Sequence, residues 1–209
     1  MSRPLIWLAL LSLPFFLNDL FFWWAEGYLA WLGFDYLFKA IALLLVWVWV
    51  QRGGSWAQLG LVRLPWRPLL FWTVGLSLLG VAIDQSVPGW MMAAGYDWRL
   101  FGFPAIDSSA VLAFDLSFGL ALTAVSEEVV FRGFAILALL PFIRRPVVLV
   151  LGSSLLFGAV HWGLGPAVIL TAALWGIVPA VSVVVTRSIY PAIIAHYVTN
   201  FVDFSGWFF

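Results

Sequence analysis

The sequence contains no cysteine, two histidines and few charges. Without cysteine there is no disulfide framework, no thiolate metal site and no thiol nucleophile. Charged residues make up 10% of the 209, where a soluble domain carries about a quarter. Formal net charge is zero, so no basic field argues for nucleic acid as a partner. Internal repeats and charged or Ser-rich linkers are also missing. In their place stand apolar residues: 64% of the chain is hydrophobic, with 14 Trp and 19 Phe, at a mean hydropathy of +1.06. The principal solvent of such a chain is a lipid bilayer.

A spanning helix needs about 20 mostly apolar residues. Such runs fall at 4–24, 35–51, 68–84, 108–140, 147–163, 166–185 and 188–205. The expected fold is therefore all-α, a polytopic transmembrane helix bundle of about seven spans. The fourth run is too long for one straight span, so it is expected to bend or to leave the hydrocarbon. Pro4, Pro68, Pro146 and Pro166 stand where helices tend to start, and Asp107-Ser108-Ser109 offers an N-cap to the fourth. The amino-terminal apolar run continues through Trp23-Trp24 without a small-residue cleavage site, so it is read as a retained span rather than a signal peptide. Segment 85–107 mixes Gly, Pro, aromatics and single charges and reads as an interfacial loop or short helix. Residues 1–107 (three spans plus that loop) and 108–205 are expected to form one integrated membrane domain.

Cytoplasmic loops retain Lys and Arg. With seven spans, Arg3, Arg52, Arg63, Arg67, Arg144, Arg145 and Arg187 fall on one side. Lys39, read at a span edge, and Arg99 fall on the other. This sorting predicts a cytoplasmic amino terminus.

Ionisable groups in hydrocarbon cost at least about 2.5–3.5 kcal/mol at a helix centre and are functional candidates by default. One group is Ser126-Glu127-Glu128-Val129-Val130-Phe131-Arg132. Glu128 and Arg132, four apart, can pair, whereas Glu127 projects about 100° away, free to face a cavity. The second is Phe157-Gly158-Ala159-Val160-His161. The third is His196-Tyr197-Val198-Thr199-Asn200, whose first and last residues share a helical face. Counting inward from the span ends at about 1.5 Å per residue puts Glu127 and His161 near 21 Å, Asn200 near 18 Å and His196 near 12 Å. All four fall in one slab of the membrane.

A carboxylate beside a neutral imidazole can deprotonate a water. A second imidazole and a carboxamide can donate hydrogen bonds to an oxyanion. The same four side chains, Glu127, His161, His196 and Asn200, could instead ligate a metal, zinc being the natural choice. Spacing leaves both open. Asn18, Asp19, Asp84 and Asp115 are also polar and near or within spans. They are read as structural, with the lining of a substrate path as the alternative.

Glu-Glu-x-x-x-Arg, Phe-x-x-x-His and His-x-x-x-Asn, in this order over residues 108–205, resemble the CPBP family, also called Abi or type II CaaX prenyl-protease. The resemblance implies an intramembrane endopeptidase. In it Glu127 and His161 would activate water, and His196 and Asn200 would stabilise the oxyanion. Glu128, Arg132 and Phe157 would be supporting residues. No cofactor is favoured, zinc being the alternative. The expected partners are the lipid bilayer and a membrane-associated peptide or protein substrate, such as a prenylated tail, a peptide precursor or a tail-anchored sorting signal. The shortness of the chain suggests a prokaryotic inner (plasma) membrane. A proton-coupled transporter or channel, which the intramembrane charges also suit, and an inactive scaffold of the same family are the competing classes.

Overall fold

A computed structural model describes residues 3–96, 102, 104 and 108–206. These residues form helices and connections, with no strand among them. We number seven helical bodies: α1 (Arg3–Phe22), α2 (Tyr28–Gln51), α3 (Trp66–Ala93), α4 (Ser109–Leu139), α5 (Pro146–Ala159), α6 (Pro166–Thr186) and α7 (Tyr190–Ser205). Helices α1, α2, α3, α4 and α6 are long and apolar enough to cross a membrane, while α5 and α7 have 14 and 16 residues. The protein is an integral membrane protein. Leu29, Leu70, Phe71, Leu78 and Val147 are exposed on its outside, where lipid rather than water is their solvent.

Helix α4 is one continuous body with two π-helical segments, Asp115–Gly119 and Glu128–Phe134. All seven residues of the second segment are buried, so the helix passes through the centre of the bundle. Its N-cap is Ser108, whose side chain accepts from the Val111 amide; Asp107 lies outside the described residues. Helix α5 rises only about 21 Å, short of the ~30 Å hydrocarbon. Its end and the following 3₁₀ turn, Trp162–Leu164, therefore lie at membrane depth. Gly165, at φ 87°, reverses the chain there into α6, a conformation that suits glycine alone.

Three boundaries differ from the sequence reading. Helix α2 starts at Tyr28 rather than 35, which places Lys39 well inside a helix rather than at a span edge. There it is buried and paired with Asp35. Helix α3 continues to Ala93, so 85–93 prolongs that helix instead of forming a separate interfacial loop or short helix. Its polar and Pro residues are accommodated because Pro88 gives up a single ladder donor. The rest of the expected interfacial segment falls mostly outside the described residues, as does Arg99. Helix α5 stops at Ala159, which leaves His161 in the turn beyond it.

The end of the bundle that carries the arginines is closed by the 52–65 connection. Leu59 is fully buried in the core, and the Gly60 carbonyl accepts from the Ile189 amide at 2.9 Å. Ser188 Oγ donates to the Val62 carbonyl at 2.7 Å. A Cβ on Gly133 would lie 2.7 Å from the Leu59 carbonyl oxygen. Only glycine lets this loop reach the middle of α4.

Candidate active site

At the other end of the bundle a cavity of about 560 Å³ opens between the helices. Its walls come from all seven helical bodies and the α5–α6 turn, so both the amino-terminal and the carboxyl-terminal parts of the chain build it. Glu127, His161, His196 and Asn200 all line it. The three motifs, apart in sequence, are brought together in one space.

Behind this wall lies a charged chain. Arg132 Nη1 donates to Glu128 Oε1 at 3.0 Å, with both side chains fully buried. The same oxygen accepts from His196 Nδ1 at 2.8 Å. A carboxylate only accepts, so Nδ1 carries the hydrogen and Nε2 is turned the other way. Nε2 stands 3.6 Å from Glu127 Oε2. The two neighbouring glutamates thus hold different places. Glu128 grips the histidine from behind, and Glu127 meets its far edge at the cavity.

Arg132 has other contacts that explain how a guanidinium survives in the core. It stacks 3.9 Å from the ring centre of Phe157 and 5.0 Å from that of Trp175, an arrangement that favours a planar cation. Gly176 makes room, since a Cβ there would meet Arg132 Nη2 at 3.0 Å. Phe157 is shared by the whole site. Its ring also lies edge-on to His161 at 4.9 Å and to His196 at 5.9 Å.

His161 is oriented by its own turn, with Nδ1 2.9 Å from the Phe157 carbonyl oxygen. The carbonyl can only accept, so Nδ1 bears the hydrogen and Nε2 offers a lone pair. The amide two residues on, at Gly163, donates to Asp19 Oδ2 at 2.8 Å, which ties the turn to α1.

Several residues join the site that the motifs do not name. The Trp175 ring lies 4.5 Å from that of His196, and its Nε1 donates to Thr199 Oγ1 at 3.4 Å. Neither residue is distinguished in sequence from ordinary core. Asn18, Asp19, Asp84 and Asp115, read as structural, all line the cavity, as do Asp35, Lys39 and Asp203. Their signal was available as charge within apolar runs, but nothing in the spacing aims it inward.

The metal alternative fits this geometry poorly. Among the described residues no group of three or more His, Cys, Asp or Glu side chains is placed to hold an ion. His196 gives one nitrogen to Glu128, and its other faces Glu127 at 3.6 Å.

No curated protein and no solved structure matches the chain. One family model does match, described as type II CAAX prenyl endopeptidase Rce1-like, over residues 109–202. That stretch begins with α4 and contains every motif residue from Glu127 to Asn200. Over that stretch, which is under half of the chain, the sequence is similar to the Rce1-like type II CAAX prenyl endopeptidases.

Proposed function

We propose that this protein hydrolyses a peptide bond of a membrane-associated peptide or protein with a water activated by Glu127. The observation that carries the proposal is the pairing of Glu127 with His196 at 3.6 Å on the cavity wall, with His196 fixed from behind by Glu128 and Arg132. Glu127 takes a proton from water as its oxygen attacks the carbonyl carbon. The His161 Nε2 lone pair accepts that water's second hydrogen and fixes its direction. The oxyanion that forms is met by Asn200 and by His196. Because Nδ1–H of His196 is committed to Glu128, its Nε2 donates only when the ring is doubly protonated. In that form its charge faces Glu128 on one side and the oxyanion on the other. As the tetrahedral species collapses the C–N bond breaks, and Glu127 returns its proton to the leaving amine. The cycle uses no metal.

The membrane orientation supports entry from outside the cytoplasm. The seven arginines of the connections and amino terminus lie at the end closed by the 52–65 loop, and basic loops stay cytoplasmic. The cavity is at the opposite end.

Peptide cleavage in liposomes tests the mechanism, comparing wild type with Glu127→Gln, with and without chelator. Removal of a general base is expected to lower the rate by roughly 10²–10⁴. Equal cleavage by the two proteins rejects the mechanism. Activity lost to chelator and restored by zinc rejects its metal-free form.

A further inference from the structure

The cavity carries more acid than hydrolysis requires. Among the described residues, Asp19, Asp35, Asp84, Asp115, Glu127 and Asp203 line it, with one lysine, Lys39, and no arginine. That cation is already committed, since Lys39 Nζ pairs with Asp35 and donates to Thr123 Oγ1 at 2.6 Å. Among the described residues Asp19 and Asp115 form no ion pair. Asp19 is held by the Gly163 amide, and Asp115 accepts from Tyr28 at 2.6 Å and Tyr36 at 2.7 Å. These donors orient the two carboxyl groups and bring no positive charge.

Asn18 supplies an independent observation at the same place. It is 7% exposed and lines the cavity. Its Nδ2 donates to Asp35 Oδ1 at 3.1 Å, which fixes the orientation of the amide. Among the described residues its Oδ1 has no hydrogen-bond partner. A buried acceptor without a donor is costly, and this one belongs to a wall that also carries Asp19, Asp35 and Asp115. Phe22, Tyr28 and Trp31 complete this part of the lining, and aromatic surfaces tolerate a cation where they would not favour an anion.

Resting on the protease reading, we infer that Asn18, Asp19 and Asp115 form a subsite for a cationic nitrogen of the substrate, the ammonium or guanidinium of a basic residue near the bond that is cut. A peptide with basic residues at the outer end of its apolar segment satisfies the orphan acceptor and the uncompensated carboxylates together. A tail that ends in a carboxylate meets like charge there. Asp19 bonds the turn that bears His161, so an occupied subsite lies beside the reacting groups rather than remote from them.

The test uses the full chain in liposomes with single-span peptides whose flank carries lysine, acetyl-lysine or glutamate at the same positions. A second set has free or acetylated amino termini, so that an α-amino group is distinguished from a side chain. Binding is read first on Glu127→Gln. The lysine flank is expected to bind about tenfold tighter than acetyl-lysine, a difference of about 1.4 kcal/mol, with glutamate weakest. Asp19→Asn and Asp115→Asn should each reduce that preference. If those variants do not fold, the preference of the parent should still shrink as salt is raised. Equal binding of the lysine and acetyl-lysine flanks overturns the subsite. A preference that follows only the free amino terminus overturns the assignment to a side chain. Cleavage by wild type separates the two readings: hydrolysis of all flanks alike leaves the protease standing without the subsite, and discrimination by Glu127→Gln without hydrolysis by wild type does the reverse.

Discussion

Glu128 shows how two adjacent identical residues come to do different work. The i, i+4 spacing to Arg132 is local to one helix and could be read from the sequence, as could the rotation that turns Glu127 away from that pair. The grip on His196 could not, because it joins positions 68 apart in the chain and depends on how α7 lies against α4. The same limit hid Trp175 and Thr199, which look like core residues until packing puts them beside the imidazole. Glu128→Gln is expected to remove the charge that balances Arg132 and to leave a buried guanidinium without its counter-ion. Breaking such a pair from one side costs about 3–5 kcal/mol. It should lower the melting temperature in detergent and also slow cleavage, because a carboxamide can present either hydrogen or oxygen to Nδ1. Melting curves beside cleavage rates check this. A variant with unchanged stability would show that the Arg132–Glu128–His196 chain does not hold the core.

The existence of each helix was evident in its apolar run, since bilayer thickness demands length. The ends were harder to read, for a physical reason at each place. Aromatic Tyr28-Leu29-Ala30-Trp31 extends α2 toward the headgroups, and polar Asp84-Gln85-Ser86 stays helical because a spanning helix satisfies its own backbone. Where helices touch closely, small residues set the distance. A Cβ on Gly158 would sit 2.7 Å from the Ile169 carbonyl oxygen and 2.8 Å from Ala173 Cβ, so α5 and α6 meet there backbone to backbone. At Gly152, on the same helix, a Cβ would meet only the flexible end of Leu139 at 3.4 Å. Gly158→Ala is expected to push the helices apart at a cost of about 1–3 kcal/mol and to displace the His161 turn, reducing cleavage. Gly152→Ala should be neutral or mildly stabilising, because alanine favours helix over glycine by about 1 kcal/mol. Thermal unfolding of the matched pair decides it: equal behaviour would mean that the α5–α6 contact is not set by glycine.

Charge is segregated along the whole molecule more sharply than net neutrality suggests. The connections at one end hold Arg52, Arg63, Arg67, Arg144, Arg145 and Arg187, while Glu26 and the cavity carboxylates occupy the other part. The sequence reading set Lys39 against this pattern. Its burial with Asp35 inside α2 removes it from the count of loop charges, so the asymmetry becomes stronger. The proposed orientation, and with it the side from which substrate would enter, rests on this segregation. The chain has no cysteine, so single reporters can be introduced without background. Glu26 and Arg63 are exposed in connections at opposite ends. In intact cells a membrane-impermeant maleimide is expected to label Glu26→Cys directly and Arg63→Cys only after permeabilisation. Labelling in the reverse order would place the cavity on the cytoplasmic face. The substrate would then have to be a cytoplasmic tail, and the basic end would be held outside against the bias that normally fixes membrane topology.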